Sequence, residues 1–369
     1  MSNFILKELT TPNIESELEK IGFDIAYRAK ASDKFRYKTI KIFNLTLPQA
    51  NILKQTALSY GADCGVHRDV LINKIEKTDV IIGGSFSQLK KICEKLKQQP
   101  FSLKLLAEKI ESLLKSEERK TKLVGILNLT PDSFSNDGIL NEKQAIDKLY
   151  KLIEDGADMI DIGAESSRPG SLPIEAKEQI KRLKLVTNEF KNISIPISID
   201  TKNSEVARFC LDNGALFIND VSGGEYDNKM FDTVSEYQAG YIIQHSTGNA
   251  ENKIEYNDVI EDVYNFLNKK LEFAHSKNIK NIILDIGIGF GKTKEQNFEL
   301  INRIEEFYSL KAPIMIGVSR KSLLGVENDD NNTKDALSAA ITYPLILKNI
   351  DYIRVHNIKL HKQLLNLAI

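Results

Sequence analysis

Three cysteines in 369 residues, Cys64, Cys93 and Cys210, are too few and too scattered for a disulfide framework. They are odd in number and form no C-x-x-C pair, which fits free thiols in a reducing compartment and argues against a structural zinc site. Long apolar runs are missing as well. No stretch approaches the ~18 consecutive apolar residues of a membrane span. The N-terminal MSNFILKELT has no basic segment followed by an apolar run, so no signal peptide is expected. Excess charge is also lacking: 50 basic residues face 51 acidic ones, a net charge of −1. No bulk field therefore favours nucleic acid or an anionic membrane. The expectation is a cytoplasmic protein with neither nucleic acid nor membrane as partner. What is present, 42% apolar and 27% charged residues, describes a globular chain long enough for two domains or one large one.

Several reaction classes lack their signatures. There is no G-x-S-x-G elbow, no cysteine near a strand end and no H-E-x-x-H pattern. The segment GIGFGKT, 287–293, imitates a phosphate loop, but counting back from Gly291 places Ile286 where its first glycine belongs.

In chain order, residues 1 to about 36 are charged and weakly patterned. Tyr37 to Leu47 reads as a strand, and Pro48 suits the first turn of a helix that Gly61 stops. Asp79 to Ile82 reads as a second strand ending at Gly83-Gly84. Ser85 can cap the next helix, with Leu89, Ile92, Cys93 and Leu96 as its apolar stripe and Pro100 as its end. A further helix carries Leu106, Ile110, Leu113 and Leu114. Residues 1–115 thus read as a small α/β domain of unassigned role, best explained as a packing or oligomerisation module. The charged segment 116–121 reads as a linker, and 122–369 as a second domain. There, apolar strands fall near 122–127, 158–162, 196–199, 215–218, 240–243, 281–284, 313–317 and 351–355, with helical patterns between them. Eight such strands over roughly 250 residues have the length and rhythm of a (β/α)8 barrel, the alternative being an open doubly wound sheet.

In a barrel of this kind the site gathers at the C-terminal strand ends. Those ends carry Asn128, then Glu165 to Gly170, Asp200, Asn219-Asp220, Gln244-His245, Asp285, Ser319-Arg320-Lys321-Ser322 and Arg354-Val355-His356-Asn357. One such residue is usually a helix cap; eight strands ending this way are hard to explain by capping alone. The cations Arg168, Lys321 and Arg354, with His356, suit an anion such as phosphate. Asp200, Asp285 and Asn219 suit a flat heterocycle rich in donors. A reaction that expels a phosphate-type leaving group without a covalent enzyme intermediate fits this set.

These segments resemble the dihydropteroate synthase family: GILNLTPDSFSNDG (125–138), GADMIDIGAESSRPG (156–170), ISIDT (197–201), INDVSGG (218–224), LDIGIGFGKT (284–293), GVSRKS (317–322) and RVHN (354–357), in the family's order. The resemblance implies a (β/α)8 TIM barrel that joins 6-hydroxymethyl-7,8-dihydropterin diphosphate to p-aminobenzoate with the help of Mg2+, small-molecule partners only, and a homodimer. By motif position it implies that Asn128 binds the metal and that Arg354 and His356 hold the diphosphate. Asp200, Asn219, Asp285 and Lys321 would line the pterin pocket, with Ser322 beside Lys321. Ser167, Arg168, Pro169 and Phe134 would face p-aminobenzoate on mobile loops. Asp200, Lys321, Arg354 and His356 would carry the catalysis. Departures from the family pattern are Ile286 in place of Pro, Asn357 in place of Asp, Ser167 in place of Thr, and Gln244 with the segment after it. Two rival readings are a methyltetrahydrofolate-dependent methyltransferase, which has no need of a diphosphate site, and a pterin-binding protein without activity. The second is disfavoured because Asn128, Asp200, Lys321 and Arg354 are all present.

Overall fold

The computed structural model describes residues 6–9, 13–115, 118–130, 141–165, 174–246, 255–326 and 329–368. The chain divides into two compact units, Met1–Glu117 and Glu118–Ile369.

Unit 1 contains helices α1 (Ile14–Lys20), α2 (Arg28–Ser32), α3 (Leu47–Ser59), α4 (Phe86–Leu96) and α5 (Leu103–Leu114), and strands β1 (Tyr37–Thr46), β2 (Asp63–Val66) and β3 (Lys77–Ser85). The strands form one antiparallel sheet in the order β1-β3-β2. Alternate residues Ile40, Val80 and Ile82 are buried with Leu53 of α3, Leu89 and Ile92 of α4, and Ala107 and Ile110 of α5. Pro48 sits in the first turn of α3 as expected, but the helix begins at Leu47, because Thr46 and Gln49 form a capping box there. The same device, Ser85 with Gln88, opens α4. Strand β2 was not foreseen. It has four residues, carries Asp63 and Gly65, and is held by its pairing with β3.

Unit 2 is a closed parallel barrel. Its strands are β4 (Lys122–Asn128), β5 (Met159–Gly163), β6 (Ile197–Asp200), β7 (Phe217–Asp220), β8 (Gly240–Gln244), β9 (Ile282–Asp285), β10 (Ile314–Ile316) and β11 (Tyr352–Val355). β11 pairs with β4 to close the ring. Between or after the strands run α6 (Glu142–Glu154), α7 (Ala176–Thr187), α8 (Ser204–Asp212), α9 (Met230–Glu236), α10 (Val259–Ser276), α11 (Lys294–Asn302), α12 (Asn331–Leu347) and α13 (Ile358–Leu367). Each expected barrel strand is present, and the open-sheet alternative is excluded by the closure.

The strands bury both faces. Outward side chains such as Leu123, Ile160, Ile199, Ile218 and Ile243 join the helices in one large core. Inward ones form a separate plug of Val124, Met159, Ile242, Ile283 and Met315, edged by Phe217 and Tyr352. Side chains two apart on a strand share a face. The residues two beyond the plug are Ile126, Asp161, Asn219, Gln244, Asp285, Gly317 and Arg354, so the interior turns from apolar to mostly polar within one step toward the strand ends. Met315 is fully buried in the plug. Met315→Ala is expected to lower the stability of the barrel by about 2–5 kcal/mol. A urea midpoint unchanged from the parent would show that the plug is not close-packed.

Candidate active site at the barrel mouth

The polar layer above the plug is built around Arg354. Its Nε donates to Asp161 Oδ2 at 2.6 Å, and its Nη2 donates to Asp200 Oδ2 at 2.8 Å. Asn219 Nδ2 donates to the same Asp161 Oδ2 at 2.8 Å. Asp161 is completely buried. It was not among the residues picked from sequence, although an acid within the apolar MIDIG at the inward parity of Met159 was a usable signal. Two carboxylates sharing one guanidinium cannot both be fully compensated. Burial pushes the Asp200 carboxyl up to about 7; Arg354 opposes the shift and Asp161 adds to it.

Among the described residues, four buried polar atoms in this layer have no protein partner: Asp161 Oδ1, Ser198 Oγ, Asn219 Oδ1 and Gln244 Nε2. Acceptors and donors left unpaired in a buried layer are what a polar, flat ligand would satisfy. Asn128 and Asp200 border this layer together. A side chain at Gly163 would meet Asn128 Oδ1 at 3.4 Å and Asp200 Oδ2 at 3.7 Å.

Lys321 enters from the loop after β10. Its Nζ donates to the carbonyl of Ile288 at 2.5 Å and lies 4.7 Å from the centre of the Phe290 ring. Burial pulls its ammonium down to about 8, while Asp285 acts the other way. Asp285 accepts from the backbone N–H of Gly287 at 2.7 Å, and burial raises its carboxyl in spite of Lys321. His356 Nδ1 is 3.0 Å from Ser319 Oγ. Ser322 opens a short 3-10 turn and is exposed. Phe134, Ser167, Arg168 and Pro169 lie outside the described residues.

The false phosphate loop has a structural part to play. Lys292 is buried, and its ammonium meets His245 Nδ1 at 2.9 Å, Gly287 O at 2.8 Å and Phe290 O at 3.1 Å. Three acceptors use its three protons, and they staple the 287–292 loop onto the end of β8. That loop supplies the carbonyl and the ring that hold Lys321. Ile286, in place of proline, is buried in the outer core. Asp220 faces away from the barrel axis and orders the next loop, accepting from Ser222 N at 2.8 Å, Gly224 N at 2.9 Å and Tyr241 Oη at 2.8 Å. The cysteines are poor nucleophiles, since burial pushes the thiols of Cys93 and Cys210 up to about 12.

Among the described residues no group of three or more His, Cys, Asp or Glu side chains is arranged to hold a metal. Also among them, no helix is long and apolar enough to cross a membrane. Among the described residues the mouth offers cations, a buried carboxylate layer and amide oxygens, Asn128 Oδ1 among them, rather than a protein metal cage.

Comparison with known proteins gives concordant matches. Residues 124–356 match the family described as pterin binding enzyme. A bifunctional dihydropteroate synthase/dihydropteroate reductase from Helicobacter pylori is 33% identical over 371 residues, 98% of this chain and 97% of that protein. Dihydropteroate synthase from Clostridium difficile, solved in the presence of pteroic acid, superposes with a TM-score of 0.64 at 34% identity, covering 69% of this chain and 98% of that one. The enzyme from Xanthomonas albilineans in complex with 7,8-dihydropteroate superposes with a TM-score of 0.61 at 28% identity, over 67% of this chain and 92% of that one.

The loop that seats Lys321 can be tested directly. Gly287 has φ +69°, and an added Cβ would lie 1.8 Å from His245 O. Gly287→Ala is expected to cost more than ~1 kcal/mol of stability and to weaken binding at the mouth. A variant with parental melting temperature and affinity would show that the loop is free to move.

Proposed function

The chain belongs to the pterin-binding enzymes, among the dihydropteroate synthases, and from that premise we propose which of its residues perform the reaction. It condenses 6-hydroxymethyl-7,8-dihydropterin diphosphate with p-aminobenzoate, giving 7,8-dihydropteroate and pyrophosphate. The arylamine nitrogen forms a bond to the pterin methylene as the methylene–oxygen bond to diphosphate breaks, and the amine loses a proton. A weakly basic arylamine needs little help from a general base. The demanding tasks are stabilising the departing pyrophosphate and the positive charge that grows on the methylene.

The observation that carries the assignment is the buried layer of unpaired polar atoms around Asp161, Asn219 and Gln244, which Arg354 shares and Lys321 borders. In this reading Asp285, Asn219 and Lys321 hold the pterin ring. Asp200, one step nearer the mouth, faces the methylene and offsets its charge without covalent attack. Arg354 is held by two carboxylates through Nε and Nη2, which leaves Nη1 to reach the diphosphate together with His356. Ser322 stands beside Lys321 at the rim. Phe134, Ser167, Arg168 and Pro169 are assigned to p-aminobenzoate by motif position. Mg2+ fits this site as an ion carried chiefly by the diphosphate, with Asn128 Oδ1 as its protein oxygen, the usual way that Mg2+ is shared between phosphate and protein. When bound it neutralises the departing pyrophosphate. The same reading includes a homodimer in the cytoplasm, where Cys64, Cys93 and Cys210 stay free.

A second activity is supported by the extent of one match. The Helicobacter pylori relative, whose name adds a dihydropteroate reductase, aligns over nearly the whole chain, whereas the family match is confined to 124–356. Unit 1 is the part left over. On this reading the full chain also reduces 7,8-dihydropteroate to the tetrahydro form, taking a hydride from a reduced nicotinamide or flavin and a proton from water. Incubation of the full chain with 7,8-dihydropteroate and each donor class should yield tetrahydropteroate; none formed with any donor would leave unit 1 as a packing or oligomerisation module.

Two outcomes test the site assignment. Arg354→Ala is expected to remove on the order of 2–4 kcal/mol of transition-state stabilisation, and a parental kcat/KM would dismiss the role. Asp200 acts as an anion, and its carboxyl is raised to about 7. kcat/KM for the pterin diphosphate should thus rise with pH through that region. Asp200→Asn should flatten the rise, and Asp161→Asn, by removing a neighbouring negative charge, should move it to lower pH. A profile that Asp200→Asn leaves unchanged would assign the ionisation elsewhere.

A further inference from the structure

We propose that Asp335, on α12, is a positioning residue that latches the loops after β10 and β11 together, so that Lys321 and His356 meet the pterin diphosphate in one fixed arrangement. The proposal rests on the assignment of those two residues to that substrate. Asp335 is buried, and both of its carboxylate oxygens are engaged. Arg320 Nε donates to Oδ1 at 2.7 Å and Arg320 Nη2 to Oδ2 at 2.8 Å. Asn357 Nδ2 also donates to Oδ2, at 3.0 Å. One carboxylate thus ties the residue before Lys321 to the residue after His356.

The backbone of the first loop needs such a tie. Arg320 has φ +58°, a left-handed conformation that a side-chain-bearing residue adopts only when its surroundings compel it. The Asp335 fork holds the side chain, and Ser338 Oγ, one turn along α12, accepts from Arg320 N at 3.2 Å. With Arg320 so placed, its neighbours point to opposite duties. Lys321 turns into the barrel to reach Ile288 O, and Ser319 meets His356, by Oγ to Nδ1 at 3.0 Å and by His356 N to Oγ at 3.3 Å. The Ser319–His356 contact and the Arg320–Asp335–Asn357 bridge through α12 both tie the same pair of loops.

The identity of residue 357 follows from this cluster. Asn357 Oδ1 accepts from Leu360 N at 3.0 Å and caps α13, a task that aspartate would perform equally well. Its Nδ2, however, faces a carboxylate, and there aspartate would set two negative charges against each other. The cluster as built holds one carboxylate, one guanidinium and one amide.

The test uses Asp335→Asn, Asn357→Asp and the double variant, in the full chain. Each single variant is expected to lower kcat by on the order of tenfold to a hundredfold, with little change in KM for p-aminobenzoate. Each should also speed amide exchange in segments 319–324 and 354–357 of the ligand-free protein. The double variant gives the carboxylate at position 357 an amide donor but leaves one of the two Arg320 N–H groups facing an N–H instead of an oxygen, so it should stay about as impaired as Asp335→Asn alone. Should Asp335→Asn fail to fold, Asn357→Asp, which keeps the helix cap, decides the matter. Parental kcat and exchange in the single variants, or a double variant with parental kcat, would overturn the latch. A parent without turnover of the pterin diphosphate would instead reject the substrate assignment, and the exchange measurement would still decide whether the two loops are latched.

Discussion

Arg354 lies between Asp161 and Asp200 inside a barrel whose floor is wholly apolar, and the organisation of the mouth follows from that grouping. A guanidinium in such a place is tolerable only with charge partners at hydrogen-bond distance, and each carboxylate is tolerable only beside a cation. The contacts span strands β5, β6 and β11, so they fix the relative depth of three strand ends at once. The pairing also leaves one carboxylate incompletely neutralised. Asp200 is the one that feels it, as the less tightly held and slightly more exposed of the two. A buried group poised between charged and neutral forms is what a site needs where positive charge develops during reaction.

The cations on the other side of the mouth are organised by a different principle. Lys321, Lys292 and Arg320 are each held by protein acceptors. Lys292 meets two carbonyls and a histidine, Lys321 meets one carbonyl and an aromatic face, and Arg320 meets a carboxylate on a helix behind the loop. Lys292 staples the loop that seats Lys321, and Arg320 sets the backbone that aims it. One cation thus stays in the barrel and two are spent on its support. This explains how a segment that looks like a phosphate loop serves a phosphate-handling enzyme without touching phosphate: its lysine is consumed inside the fold.

Much of the barrel was legible in the chain because its signals are local. Apolar runs that stop at Asn128, Asp200, Asn219 and Asp285 mark strands and their ends, and strand ends are where a parallel barrel keeps its chemistry. The limits of this reading have physical causes. β2 escaped notice because four residues with Asp63 and Gly65 have no strand character of their own and acquire it from β3. The start of α3 moved because a capping box acts through hydrogen bonds rather than through hydrophobic spacing.

The sequence by itself determined the order of strands and helices in the barrel, its eightfold rhythm, and most residues that reach its strand ends, since each depends on neighbours a few positions away. Only the tertiary structure decided which of those residues are partners. Arg354 and Asp161 are 193 residues apart in the chain, and Arg354 and Asp200 are 154 apart. Asp335 looks like any acid in a helix until folding sets it against Arg320 and Asn357. Asp161 looks like a blemish in an apolar strand until barrel closure turns it inward toward a cation. Parity along a strand is written locally, but the identity of the charge across the barrel is fixed by closure, and that is why the pairing could be read only from the folded chain.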